Sequence, residues 1–158
     1  MQLLSELGAK FGFASRMLTL LTSDFSEEDW SRRLYGVNSP HWVLGHITVM
    51  RRAILRMIGQ PAIQLEWETT FGMSASGDIP SSAPTPAALL EEFHATSVAL
   101  ANALPKLPEQ VAESEIPSPL PDGSRTVGQA LMGLYMHECY HLGQIGLMRR
   151  LQDKPGIA

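Results

Sequence analysis

Apolar side chains recur at steps of three and four along most of the chain, the period of a helix with one buried face. The first run, about residues 2–22, puts Leu3, Leu4, Leu7, Phe11, Ala14, Leu18 and Leu21 on one stripe. In the SDFSEEDWSRRL that follows, Ser26 with Asp29 three residues on marks the start of a short helix, which Trp30 and Leu34 pack down. SPHWVLGHITVMRRAILRMIGQP carries its own punctuation. Ser39 is the N-cap, Pro40 takes the first helical position, Gly59 closes the helix and Pro61 prevents its return. Trp42, His46, Val49, Met50, Ala53 and Met57 share its predicted inner face. Residues 60–84 read as a long connection, and SGDIPSSAPTP at 76–86 is the most biased stretch in the chain. A third long helix opens at Thr85 and Pro86, with Leu89, Phe93, Thr96, Leu100 and Leu104 as its stripe. A second Pro-rich connection leads to the longest pattern, TVGQALMGLYMHECYHLGQIGLMRRLQD. Its stripe runs Val127, Ala130, Leu131, Leu134, His137, His141, Ile145, Met148 and Leu151. Four long helices with little strand signal predict an all-α fold, a four-helix bundle with long connections.

A length of 158 residues suits one domain, residues 1–158, around one core. With 44% hydrophobic and 18% charged residues, the chain has the makings of a globule. A net charge of −4 argues against nucleic acid as partner, because neutralising phosphates takes a basic face. The pairs Arg51–Arg52 and Arg149–Arg150 read as solvated helix flanks. Cys139 is the one cysteine, so no intrachain disulfide forms and nothing signals an oxidising compartment. Glu6, Lys10 and Arg16 interrupt any apolar signal-peptide core, and no apolar run reaches the length of a bilayer span. The expectation is a cytoplasmic protein with no membrane partner.

The chemistry concentrates at HECYH, residues 137–141, which has the H-E-x-x-H spacing of zinc metalloproteases. Histidines at i and i+4 stand one above the other, with Cβ atoms about 5–6 Å apart, and Zn–N bonds of about 2.0–2.1 Å let both rings reach one ion. His137 and His141 continue the apolar stripe, so they face helices that can supply further ligands. The protease reading fares badly. No His or Glu follows His141, Gln144 and Leu147 stand where the extended motif needs Gly and His, and no strand is visible to hold an extended peptide. The third ligand must come from upstream, from His41, His46 or His94. His41 and His46 lie five apart, about 140° around a helix, so both cannot face inward. His46 shares the apolar face and is the better ligand, while His94, beside two glutamates, reads as a surface or boundary residue. Core histidines satisfied by hydrogen bonds are the alternative. Burying three unpaired imidazoles would be costly, which favours a metal site at His46, His137 and His141.

WVLGHI at 42–47 and HECYHLGQIGLMRRL at 137–151, in this helix-loop-helix layout, resemble the DinB/YfiT-like superfamily of bacterial metal-binding four-helix bundles. The resemblance covers nearly the whole chain. It implies an up-down-down-up bundle, usually a homodimer, that holds Zn²⁺, Ni²⁺ or a similar divalent ion with three histidines. By position these are His46, His137 and His141. The superfamily includes bacillithiol-dependent S-transferases, a mycothiol-dependent isomerase and proteins described as metal-dependent hydrolases.

The expected function is therefore a metal-dependent enzyme, a thiol transferase or hydrolase. Its ion would activate a low-molecular-weight thiol or water for attack on a small-molecule electrophile. Glu138 is a candidate general base or partner of a ligand imidazole, and equally an ordinary solvated glutamate. Gln144 is a candidate for orienting metal-bound water or substrate, or a polar packing contact. Tyr135 and Tyr140 read as aromatic core or interface, Cys139 as a small packing residue, and Gly143 and Gly146 as sites of close helix approach. The competing class is a non-catalytic metal-binding or stress-response module. In that case four protein ligands close the shell, whereas a catalytic ion keeps an open position.

Overall fold

The helix starts fall where the capping residues stand. The Thr126 hydroxyl accepts from Gln129 N–H and the Gln129 side chain answers back, opening the longest helix; Ser39 and Thr85 accept from Trp42 and Ala88 N–H. The computed structural model describes residues 2–73 and 75–157, leaving Met1, Ser74 and Ala158 outside the described residues. The helices are α1 (Gln2–Thr22), α2 (Glu27–Ser31), α3 (Pro40–Met57), α4 (Pro86–Ala103), α5 (Glu109–Glu113) and α6 (Val127–Leu151). Single 3₁₀ segments occur at Glu66–Phe71 and Leu104–Lys106. Among the described residues there is no strand, only an isolated bridge between Glu115 and Thr126. None of the described helices is long and apolar enough to cross a membrane.

Each long helix lies against two others, α1 and α3 both touching α4 and α6. Between α1 and α4, Gly8 meets Ala101, Ser15 meets Ser97, and Thr19 meets His94. His41 at the head of α3 meets the Pro84 carbonyl at the head of α4, and Arg52 further along pairs with Glu92. Phe11 of α1 packs edge-on against Tyr135 of α6, and Leu21 reaches Gly146. Two apolar clusters fill the interior. One gathers Leu18, Leu44, Ile47, Phe71, Leu89, Phe93 and Ile145, the other Leu7, Phe11, Ile54, Leu100, Leu104 and Leu131. Burying each such side chain contributes about 1.5–3 kcal/mol against the entropy of ordering the chain.

Of the two basic pairs only Arg150 is a solvated flank. Arg51, Arg52 and Arg149 are all buried, and Arg51 is 0% exposed. Its side chain extends from α3 to Glu138 of α6, with Nε and Nη2 each 2.6 Å from a carboxylate oxygen. The same guanidinium donates to the Phe11 carbonyl and Ser15 hydroxyl of α1, and to the Phe93 carbonyl and Ser97 hydroxyl of α4. It lies over the Phe93 ring at 3.6 Å and near the Phe11 ring at 5.3 Å. Arg149 in turn holds Asp24 and the Leu21 carbonyl. A fully buried charge persists only when every donor is matched, and here each N–H of Arg51 has an acceptor. Leu3 and Leu151, placed on the predicted stripes, are exposed because each lies at the end of its helix.

Candidate metal centre

α3 and α6 bring three imidazoles together. His46 stands nearly two turns into α3, while His137 and His141 stand about one turn apart in the middle of α6. His137 Nε2 lies 3.1 Å from His141 Nε2 and 3.5 Å from His46 Nε2, and all three donor atoms fall within 4.8 Å of one another. Two nitrogens bound tetrahedrally to zinc, each at about 2.0–2.1 Å, sit roughly 3.3 Å apart. The two separations from His137 lie either side of that edge length, and the third pair lies within 4.8 Å.

The proton positions point the same way. His46 Nδ1 lies 2.7 Å from the Phe71 carbonyl, which can only accept, so this nitrogen carries the proton. His141 Nδ1 donates to Gln144 Oε1 at 2.7 Å, and the Gln144 amide group donates to the Tyr140 hydroxyl at 3.0 Å. In the neutral rings both Nε2 atoms then present lone pairs to His137. A single proton on His137 Nε2 can satisfy only one of them, whereas a cation satisfies all three. His137 Nδ1 is buried without a partner, so that ring gains nothing from the fold except its place beside the other two. Trp42, four residues before His46, stacks on its ring at 5.0 Å and 9° and donates its indole N–H to the Thr70 carbonyl. The donor set fits a divalent cation.

The DinB superfamily profile matches residues 11–145, a span that contains all three histidines, the whole of α3 and α6 as far as Ile145. The chain belongs to the DinB superfamily. No curated protein matches it.

Other residues of this DinB-superfamily chain lie around the centre as follows. Glu138 is not a solvated glutamate. It is 2% exposed, on the side of α6 that meets Arg51, with both oxygens engaged there. Burial pushes its carboxyl above the ordinary range, and the two charge-assisted bonds from Arg51 pull it back. Gln144 sits at the Nδ1 side of His141, away from the Nε2 atoms, where it orients the ring. Cys139 is exposed rather than packed. It lines an outer groove with Phe13, Met17, Tyr135 and Gly143. His41 is half-buried, bonded to the Pro84 carbonyl, and His94 is exposed beside Thr19, so neither joins the cluster.

Burial lowers the pKa of His46, His137 and His141, the last to about 4 even with the Gln144 bond opposing the shift. An unfolded histidine titrates near about 6.5. As pH falls below that value the unfolded chain takes up protons that the folded one refuses, so stability drops between about 6.5 and about 4. Denaturant titrations of metal-free protein at about pH 7 and about pH 5 will show a loss of roughly 1–2 kcal/mol at the lower pH. Equal midpoints would contradict neutral buried rings.

Proposed function

We propose that the chain is a metal-dependent enzyme in which His46, His137 and His141 hold one divalent cation, zinc or nickel. Its reaction would be attack of a low-molecular-weight thiol or water on a small electrophile. The observation that carries this reading is the convergence of three imidazoles, with His137 Nε2 3.1 Å and 3.5 Å from the Nε2 atoms of His141 and His46, whose own protons are committed at Nδ1. Three protein donors leave a coordination position for a reactant, as in catalytic zinc sites. A divalent cation there supplies Lewis acidity, which brings water or a thiol to its nucleophilic form near neutral pH. The protein's own part is orientation. The Phe71 carbonyl and Gln144 fix two rings, and Glu138 holds α6 to α3 through Arg51. With both oxygens on Arg51, Glu138 is poorly placed to be the free base that a metalloprotease requires, which sets that reading aside.

In this reading residues 1–158 form one domain, an up-down-down-up four-helix bundle. The contacts of α1 with α4 run in opposed register, while those of α3 with α4 and of α1 with α6 run in the same register, and together these three pairings set α3 and α6 in opposite directions. A second copy would cover the outer face of α1 and α6, where Phe13, Leu20, Met136, Tyr140 and Leu147 are exposed. The acidic balance supports a small-molecule substrate over nucleic acid, and a cytoplasmic setting fits the single free thiol.

Elemental analysis of purified protein, a mass measurement in solution, and a screen of bacterial thiols against an electrophile panel form the test. The expected result is about one zinc or nickel per chain, a dimer mass, and turnover that a chelator abolishes and added metal restores. X-ray absorption showing a fourth protein ligand, together with no turnover by loaded protein, would replace the enzyme with a structural metal module.

A further inference from the structure

The connection between α3 and α4 contains an element that reads as plain loop from its residues. The 3₁₀ segment Glu66–Phe71 lies along α3 and offers consecutive carbonyls to it. The Thr70 carbonyl accepts from Trp42 Nε1 at 3.2 Å and the Phe71 carbonyl accepts from His46 Nδ1 at 2.7 Å. Two side chains one helical turn apart are thus read by two adjacent carbonyls, and their rings stack on each other.

Three features keep that segment in register. Glu68, 3% exposed, accepts from Arg52 Nε at 2.8 Å, from Arg56 Nη2 at 2.8 Å and from its own segment's Leu65 N–H at 3.1 Å. Burial alone would raise its carboxyl, but the bonds from Arg56 and Arg52 outweigh it and the group is held below its usual range. The Phe71 ring is fully buried and lies where a side chain on residue 45 would be: a Cβ on Gly45 would overlap it. Gly45 immediately precedes the histidine, so glycine there is what lets the ring, and the carbonyl behind it, come this close to α3. The Trp67 ring packs edge-on against Phe71 within the same segment.

We propose that Glu66–Phe71 is a positioning element for His46, anchored by Glu68 to Arg52 and Arg56 and seated by Gly45. Its carbonyl at residue 71 holds the imidazole in the Nδ1–H tautomer and aims Nε2 at the other two histidines. Glu68 touches neither the ligands nor any reactant, so it is a positioning residue. The inference rests on the metal reading of the three histidines for its consequence, though not for its geometry.

The test compares Glu68→Gln with Glu92→Gln. Glu92 also pairs with Arg52, but from α4, so its loss disturbs the same arginine without releasing the 3₁₀ segment. Nitrogen-15 NMR of the metal-free proteins reads the His46 tautomer, and competition with a chromophoric chelator reads zinc affinity well below the melting temperature. Wild type and Glu92→Gln should show the Nδ1–H form and the same zinc Kd. Glu68→Gln should show mixed tautomers and a Kd raised about tenfold, the lower end of what loss of a ligand's hydrogen-bond partner costs. Should Glu68→Gln fail to fold, Gly45→Ala probes the same element, since its methyl must displace the Phe71 ring. A pure Nδ1–H tautomer with zinc affinity within about twofold of Glu92→Gln, in whichever variant folds, would overturn the proposal. If wild type binds no zinc at all, the metal reading falls and the tautomer comparison alone decides the positioning claim.

Discussion

Replacement of Arg51 by alanine will cost about 3–5 kcal/mol, enough to unfold much of the protein at physiological temperature. The reason lies in what remains behind. Glu138 is left in the interior with no counter-ion, either charged or forced to take up a proton, and the Ser15 and Ser97 hydroxyls and the Phe11 and Phe93 carbonyls lose a shared donor. All four long helices contribute to that cluster, so the loss is felt by the whole core. Removing both charges is a different matter. A paired Arg51→Met, Glu138→Leu variant leaves no buried ion and fills similar space, and should recover more than half of the deficit. Urea denaturation of wild type, Arg51→Met, Glu138→Leu and the paired variant forms a double-mutant cycle, with Arg51→Ala measured beside it. An Arg51→Ala protein within about 1 kcal/mol of wild type would show that the pair contributes nothing.

His137→Ala protein should carry less than about a tenth of the wild-type metal and bind zinc more than a hundredfold more weakly, since removing a ligand costs more than removing a ligand's partner. His137 is the hub of the cluster, the one nitrogen close to both others. Its fold should survive. The ring is only half-buried, and its Nδ1 is an unpartnered buried nitrogen whose removal relieves a desolvation cost. Metal-free variant and metal-free wild type should therefore melt within a few degrees of each other. Added zinc should raise the melting temperature of wild type alone. Circular dichroism melts with elemental analysis read both halves, and a variant that retains wild-type metal would remove His137 from the site.

How far the residues disclose the site depends on the range of the interaction. The caps Ser39, Thr85 and Thr126 and the stripes of α1, α4 and α6 are local signals, and the helices start and face as those signals predict. The three histidines were legible because the spacing at 137 and 141 is diagnostic and only His46 shared an apolar face. Arg51 was not. Charged residues are so rarely interior that a pair of arginines defaults to the surface. Yet Arg51 lies four residues after Ile47 and four before Leu55, in the middle of the buried stripe of α3. That placement, with a glutamate beside His137 on another helix, was the available signal. The 3₁₀ segment left even less trace. Six residues with an i to i+3 repeat make too short a pattern to stand out, and its value lies in carbonyls that every residue has. For Gln144, position alone was ambiguous, and the hydrogen bond to His141 Nδ1 decides which side of the ring it serves.

Ninety-one positions of chain separate His46 from His137, yet their nitrogens end 3.5 Å apart. On a ribosome the first histidine emerges long before the other two, and the nascent chain has no complete site until its closing segment has docked. If the three histidines hold a cation as proposed, its uptake would report on finished assembly, because a chain whose α6 has not docked offers at best the weak two-histidine grip of His137 and His141.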